Sequence, residues 1–330
     1  MKKYSKKKPL NSHCKNKFNP LEKMTEKKRS YDNLEDDWKE NLLSLTDNDK
    51  KTKILFYCSK GNKKMVKLLF ESMQVPDINV SYSGDNGLTL ASRTGDFATV
   101  KYLVKNGIDI DFIGSNGRSA LHTYARKGLL TECKFLLDNL ADPNNLGFKG
   151  QTPLFEAVIN NKPEVIEMLY KYGANLNFAN EEGIAPLMVA CQNKYRQESL
   201  LTLLKLGANI ETVDFMGQTP LYYAIRSNNR QFIDILIKRC NLNHQDNNGV
   251  TPLMLAAKYG QKETLRVFLS KGANIYLKDK NGKTALDYAE HYKHPGSVDI
   301  LAKAHRVMEQ GDQDLSFFGK QNRVANSCVK

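Results

Sequence analysis

Gly249-Val250-Thr251-Pro252-Leu253-Met254-Leu255-Ala256-Ala257 is the clearest copy of a block that recurs down the chain. Gly150-Gln151-Thr152-Pro153-Leu154 and Gly217-Gln218-Thr219-Pro220-Leu221 repeat it closely. Weaker copies begin at Gly84, Gly117, Gly183 and Gly282, and the steps between successive glycines are 33, 33, 33, 34, 32 and 33 residues. Such a period marks a stack of small units, none of which buries its apolar face alone. Within a copy, the block reads as a helix start. The Thr hydroxyl can accept a bond from an otherwise orphaned N–H. Pro at the next position has its ring preset for the helix and loses no needed donor. Leu253, Ala256 and Ala257 form an inner face on which small Ala permits close approach. Tyr259-Gly260-Gln261-Lys262 breaks this helix. A more apolar second helix follows through Leu265, Phe268 and Leu269 and stops at Lys271-Gly272, where glycine supplies a left-handed C-terminal residue. Ala273-Asn274-Ile275 then leads to the next turn glycine.

This unit resembles the ankyrin repeat, with its 33-residue T-P-L-H period. The His of that motif survives as His122. The resemblance covers most of the chain and implies an all-α ankyrin-repeat solenoid, built from helix-turn-helix repeats joined by β-hairpin-like loops. A first repeat is aligned by placing Thr52-Lys53-Ile54-Leu55 at the T-P-L-H positions, with Lys50 in place of the turn glycine. The count is then eight repeats over residues 49–303, starting near 50, 84, 117, 150, 183, 217, 249 and 282, with atypical ends that suit capping repeats. Several copies depart from the motif. Asn86-Gly87 replaces Thr-Pro, so Asn86 serves as cap; Ser119-Ala120 is a milder change. Ala185 has no capping group, Lys194 stands at the usual inter-helix glycine, and one extra residue lies near 193–198. Arg239-Cys240-Asn241 is one residue shorter than the usual link. Uneven stability along the array is expected, since intrinsic and nearest-neighbour terms add.

The net charge of +13 is concentrated at one end. Residues 1–30 hold eleven Lys and Arg against Glu22 and Glu26, which is +9 and leaves +4 for the rest. This segment reads as a disordered basic tail. Lys6-Lys7-Lys8-Pro9 and Lys27-Lys28-Arg29 suit nuclear import, or attachment to nucleic acid or an acidic membrane surface. Over 31–48, Leu34, Trp38, Leu42 and Leu45 make one helical stripe that reads as a capping helix over the first repeat. The C-terminal tail is placed at 304–330, with Lys303–Gln310 extending the last helix and Phe317-Phe318 in a polar context. No apolar run approaches the roughly 18 residues of a membrane span, and no apolar core of a signal peptide follows the basic start. The six cysteines lie far apart, and Cys58, Cys133 and Cys191 fall on core positions, which fits reduced thiols.

Sequence motifs for catalysis are absent: there is no G-x-x-x-x-G-K-[ST], no G-x-S-x-G and no H-E-x-x-H. His291 and His294 lack the partners of a metal site and fall at an inter-helix turn. No cofactor, metal or enzymatic activity is expected. The resemblance instead implies a partner on the concave face, lined by hairpin tips and the exposed ends of the first helices. Arg93, Arg126, Lys127, Arg226 and Lys258, followed by Tyr259, make the helix row basic. Phe148, Lys149, Phe215 and Met216 put large side chains on the tips, where aromatic residues and cations favour binding. The implied function is a non-enzymatic scaffold or adaptor for a protein partner, monomeric and cytoplasmic. Two alternatives stand beside it. One is attachment to nucleic acid or an acidic surface through residues 1–30. The other is a secreted bacterial effector that acts on host proteins in the host cytosol.

Overall fold

The computed structural model describes residues 44–73 and 77–310. The basic segment 1–30, the stripe residues Leu34, Trp38 and Leu42, and the segment 311–330 lie outside the described residues. Sixteen α-helices form eight consecutive pairs among the described residues: α1 (Asp47–Ser59) and α2 (Lys63–Glu71), α3 (Gly87–Thr94) and α4 (Phe97–Lys105), α5 (Ala120–Lys127) and α6 (Leu130–Asp138), α7 (Pro153–Ile159) and α8 (Pro163–Lys171), α9 (Pro186–Cys191) and α10 (Gln197–Lys205), α11 (Pro220–Arg226) and α12 (Arg230–Leu236), α13 (Pro252–Lys258) and α14 (Lys262–Ser270), α15 (Ala285–His291) and α16 (Pro295–Glu309). First helices pack on first helices, as α5 on α7 and α13 on α15. Second helices likewise stack, as α6 on α8 and α14 on α16. The motif leucines Leu88, Leu121, Leu154, Leu187, Leu221 and Leu253 are buried between them, each stabilising the stack by roughly 1.5–3 kcal/mol. Three residues on, fully buried Ala91, Ala157, Ala190, Ala224 and Ala256 let the first helices approach. The repeat at 117 has buried Tyr124 there instead. Burial pushes the Cys58 and Cys133 thiols up to about 12 and also raises Cys191, so these cysteines fill space as thiols.

The first repeat begins earlier than its motif alignment implies. Thr46, not Thr52, caps α1 by accepting a bond from the Asp49 amide at 3.2 Å. Thr52 lies inside the helix, its hydroxyl donating to the Asn48 carbonyl at 3.3 Å. Lys50, aligned with the turn glycines, is a buried residue of α1 whose ammonium donates to the Ser72 carbonyl at 3.0 Å. Without a turn glycine, nothing interrupts the helix there.

The Thr of the motif also behaves differently from the capping expectation. Thr251 and Thr284 cap their helices through their side chains, whereas Thr152 and Thr219 make no side-chain cap bond. In the latter two, the amide of the third helical residue (Phe155 or Tyr222) bonds instead to the Thr backbone carbonyl at 3.0 Å. The same third position ties one repeat to the next. His122 accepts from Ser119 Oγ at 2.9 Å through Nδ1, and its Nε2–H donates to the Gln151 carbonyl at 2.9 Å. The hydroxyl of Tyr222, one hundred residues on in the same role, donates to the corresponding Val250 carbonyl at 2.7 Å.

A second tie runs along the loops after the second helices. There an acidic or amide side chain of one repeat accepts the backbone N–H of the next: Asn79 from Asp109 at 2.6 Å, Asp111 from Asp142 at 3.0 Å, Asn144 from Asn175 at 2.8 Å, Asn177 from Asn209 at 2.8 Å, Glu211 from Asn241 at 2.7 Å and Asn243 from Asn274 at 2.8 Å. The hairpin at 84 is a true two-stranded ribbon, β1 (Ser81–Tyr82) antiparallel to β2 (Asp85–Asn86), with Ser81 opposite Asn86. Later tips are closed by one recurring bond, such as Asp214 N–H to Gln218 O at 3.1 Å and Asp246 N–H to Val250 O at 3.0 Å.

Burial and the nearby Arg118 charge lower the His122 pKa from 6.5 to about 4. The unfolded chain therefore binds a proton between these pH values that the folded chain refuses, so stability is complete above about pH 6.5 and falls as pH drops toward 4, by about 3 kcal/mol in full. Urea melts at pH 7 and pH 5 should show this loss, and His122→Tyr, which copies Tyr222, should lessen it. Leu140, 88% exposed, holds a left-handed φ of +68° at the helix stop where Gly173 and Gly207 stand in other repeats. Leu140→Gly removes a strain of about 1 kcal/mol at no packing cost, and should raise the denaturation midpoint.

Candidate partner-binding face

Each candidate side chain sits on a tip or on the last turn of a first helix. Phe148 is held in the tip by its own amide, which donates to the Gly117 carbonyl at 2.7 Å. Its Cβ rests on Gly117, whose φ is +70°; a side chain there would meet Phe148 Cβ at 2.5 Å. The ring is nonetheless 59% exposed. Phe215, 71% exposed, repeats this arrangement over Gly183, where an added Cβ would lie 2.7 Å from its ring. Asp214 fixes that tip by accepting the Met216 and Gln218 amides, both at 2.8 Å, and Met216 stays exposed beside Phe215. Lys149 reaches Glu182 of the next tip at 3.1 Å, with its ammonium 5.9 Å from the Phe148 ring centre.

The basic row has mostly local partners. Arg93 pairs with Asp85. Burial alone would raise that carboxyl, but bonds from Arg93 and Ser115 outweigh it and hold Asp85 below the usual carboxylate range. Lys127 donates to the Ser92 and Arg93 carbonyls, at 3.1 and 2.9 Å, and so closes the end of α3. Arg226 lies 4.4 Å over the Tyr223 ring and bonds Gln218. Lys258 stands 5.3 Å from the Tyr292 ring centre, beside half-exposed Tyr259. Arg126 is exposed and has no hydrogen bond or ion pair among the described residues. Four side chains at one repeat position, and Lys127 at the next, thus have five different environments, and they do not form one continuous cationic strip.

Between the tips of the repeats at 150 and 183, the face carries a depression of about 210 Å³. Ile159, Ile184 and Val189 give it an apolar floor, and Lys149, Glu182 and Arg196 surround it with charge. Arg196 is the residue that sequence reasoning missed. It sits in the short turn made by the inserted residue, and its guanidinium donates to the Ile159 carbonyl at 3.1 Å and the Val189 carbonyl at 2.7 Å. The insertion was its signal: an irregular repeat needs another way to close the ends of α7 and α9. His294 donates to the Lys258 carbonyl at 3.0 Å, and no group of three or more potential ligands is found among the described residues.

A family model described as ankyrin repeats (3 copies) matches four stretches, residues 35–113, 110–180, 172–246 and 228–311. The chain belongs to the ankyrin repeat family. It is 26% identical over 296 residues to the ankyrin repeat protein L371 of Acanthamoeba polyphaga mimivirus, covering 80% of this chain and 38% of that one. It is 31% identical over 172 residues to an L-asparaginase of Dirofilaria immitis, covering 52% of this chain and 29% of the enzyme. This ankyrin chain therefore spans well under two thirds of the length of these relatives. Among solved structures, the ankyrin repeat domain of Bcl-3 aligns with a TM-score of 0.60 at 28% identity, over 66% of this chain and 99% of that domain.

The ankyrin geometry separates two neighbouring cations. Lys127→Met leaves the α3 carbonyls without their donor and should cost about 1 kcal/mol, whereas Arg126→Ala should leave the melting curve unchanged. Equal destabilisation by both, in parallel chemical denaturation, would contradict the assigned roles.

Proposed function

We propose that this ankyrin array is a non-enzymatic scaffold that binds a protein partner across its tips, centred on the depression between the repeats at 150 and 183. The observation that carries this reading is the pair of exposed rings, Phe148 and Phe215, on tips built from polar residues. Both are fixed by glycine contacts at their bases, so little ordering entropy is lost on binding. Ankyrin repeats are in general protein-interaction repeats, and these rings flank a site with an apolar floor and both signs of charge. An apolar side chain of a partner fits the floor, with polar groups facing Lys149, Glu182 and Arg196. Arg126, the row residue with no partner among the described residues, extends this surface toward the repeat at 117. Met216 widens it on the other side. The opposite end of the row, at Lys258 and Tyr259, is a weaker candidate, because Lys258 already has Tyr292 beneath it.

Affinity capture with the full chain, run beside Phe148→Ala/Phe215→Ala, identifies the partner and tests the site together. The double variant should melt within about 0.5 kcal/mol of the wild type, since neither ring fills the core. Its affinity for the captured partner should fall by about tenfold or more. A partner held equally well by both proteins would remove the tips from the site. A second reading, attachment to nucleic acid or an acidic surface, is favoured by the +9 charge of residues 1–30. Such binding would weaken steeply with added salt and vanish when those residues are deleted.

A further inference from the structure

We propose that the groove between α10 and α12, on the face formed by the second helices, is a separate docking site for a short acidic segment of a partner protein that carries a bulky apolar side chain. Two independent features meet there, one on each helix. The fifth residue of the second helix is Lys67, Lys101, Lys134, Glu167, Asp234, Arg266 or Asp299 in the other repeats, and Leu201 in the repeat at 183. A position that otherwise faces water with a charge therefore presents a leucine, 44% exposed. Beside it, α12 stops at Leu236 after seven residues, whereas α10 has nine. The repeat at 217 is one residue short and lacks the left-handed glycine found at Gly173, Gly207 and Gly272. The chain beyond α12 instead leaves through a short turn, with Arg239 and Cys240 amides both bonded to the Leu236 carbonyl at 3.0 and 3.1 Å. What remains is an opening of about 310 Å³, floored by Leu201, Leu204, Ile210, Ile235 and Leu236.

The rim is cationic. Lys205, Lys238 and Arg239 line it. Lys205 also reaches Glu167 at 2.9 Å. The Lys238 and Arg239 side chains have no hydrogen bond or ion pair among the described residues. The nearby carboxylates are engaged elsewhere: Glu211 accepts the Asn241 amide at 2.7 Å, and Asp234 holds Arg230 at 2.8 Å. Cations at the end of α10 and in the turn after α12, separated by an apolar floor, match carboxylates spaced along a peptide with a large side chain between or after them. The volume lies at the lower end of the range for ligand sites and suits one or two side chains. An exposed apolar floor of this kind, rimmed by polar groups, is a mark of interaction.

The probe is a fluorescently labelled peptide of sequence Asp-Gln-Asp-Leu-Ser-Phe-Phe, a stretch of the required chemistry that the chain itself contains at residues 312–318. Its anisotropy is read against the full-length protein. Wild type and Phe148→Ala/Phe215→Ala should bind it equally, which separates this site from the tips. Leu201→Lys, which installs the side chain found at this position in three other repeats, should weaken binding by about tenfold or more, and so should Lys238→Glu/Arg239→Glu. A peptide with both Asp changed to Asn should bind as weakly. Two further outcomes would overturn the proposal. One is equal binding by wild type and both groove variants. The other is binding only after Phe317→Ser/Phe318→Ser in the protein, which would make the chain's own segment the occupant rather than a partner.

Discussion

Every α-helix ends with carbonyls that have no donor of their own, and for five of the first helices the next repeat supplies one. Lys127 closes α3, Arg196 closes α7, Ser227 closes α9, Gln261 closes α11 and His294 closes α13, with donor–acceptor distances between 2.7 and 3.1 Å. The donor changes from ammonium to guanidinium, hydroxyl, amide and imidazole, while its place in the repeat stays nearly constant. This requirement accounts for polar side chains at the inter-helix turn better than partner recognition does. It also explains why neighbouring repeats must be in register before either is complete. Stability in such a stack depends on the interfaces as much as on the units.

The same requirement divides surface charge between structure and recognition. A cation bonded to a helix end has its charge placed where the dipole is negative, and little of it remains to attract an anion. Lys127 belongs to this group. Arg93 is neutralised by Asp85, and Arg226 is spread over Tyr223. The tips are different. Their backbone bonds are satisfied within and between hairpins, so Phe148 and Phe215 are free of structural duty beyond contact with a glycine. Exposed apolar area with no role in the core is what an interface needs.

Much of this was legible in the sequence. The 33-residue step fixed the number and type of units, and the buried leucines and alanines lie where the motif places them. Two kinds of error came from reading the motif as chemistry rather than as a pattern. Thr152 and Thr219 carry the capping residue without the capping bond, and the amide of the third helical residue bonds to the Thr backbone carbonyl instead. Thr52 matched the motif but lies inside a helix, since the glycine that would stop the preceding turn is Lys50. The basic row lies on the first helices, yet where it has partners they are a hairpin carboxylate of the same repeat, carbonyls of the preceding repeat or an adjacent ring, and a spacing argument cannot see these. The ladder of Asn and Asp after the second helices was visible as a recurring pair, Asn175 with Asn177 and Asn241 with Asn243. Its meaning appears only when stacking brings one repeat's side chain to the next repeat's amide.

The irregular centre of the array follows from these constraints. The repeat at 183 has an uncapped α9 and an inserted turn, and the repeat at 217 has a shortened α12. Each defect alone removes bonds that neighbours make elsewhere. Arg196 offsets the first by donating to two helix ends at once. Its guanidinium can do so because its donors are arranged in a rigid fork. Nothing comparable covers the shortened end of α12, where Lys238 and Arg239 extend outward and Leu201 faces the gap. Insertion and deletion lie one repeat apart, so the spacing returns to register by Gly249, and the regular C-terminal repeats continue as if neither had occurred. A solenoid can therefore carry a local irregularity on both of its faces, a depression beside the tips and a groove between second helices, without losing the stack that presents them.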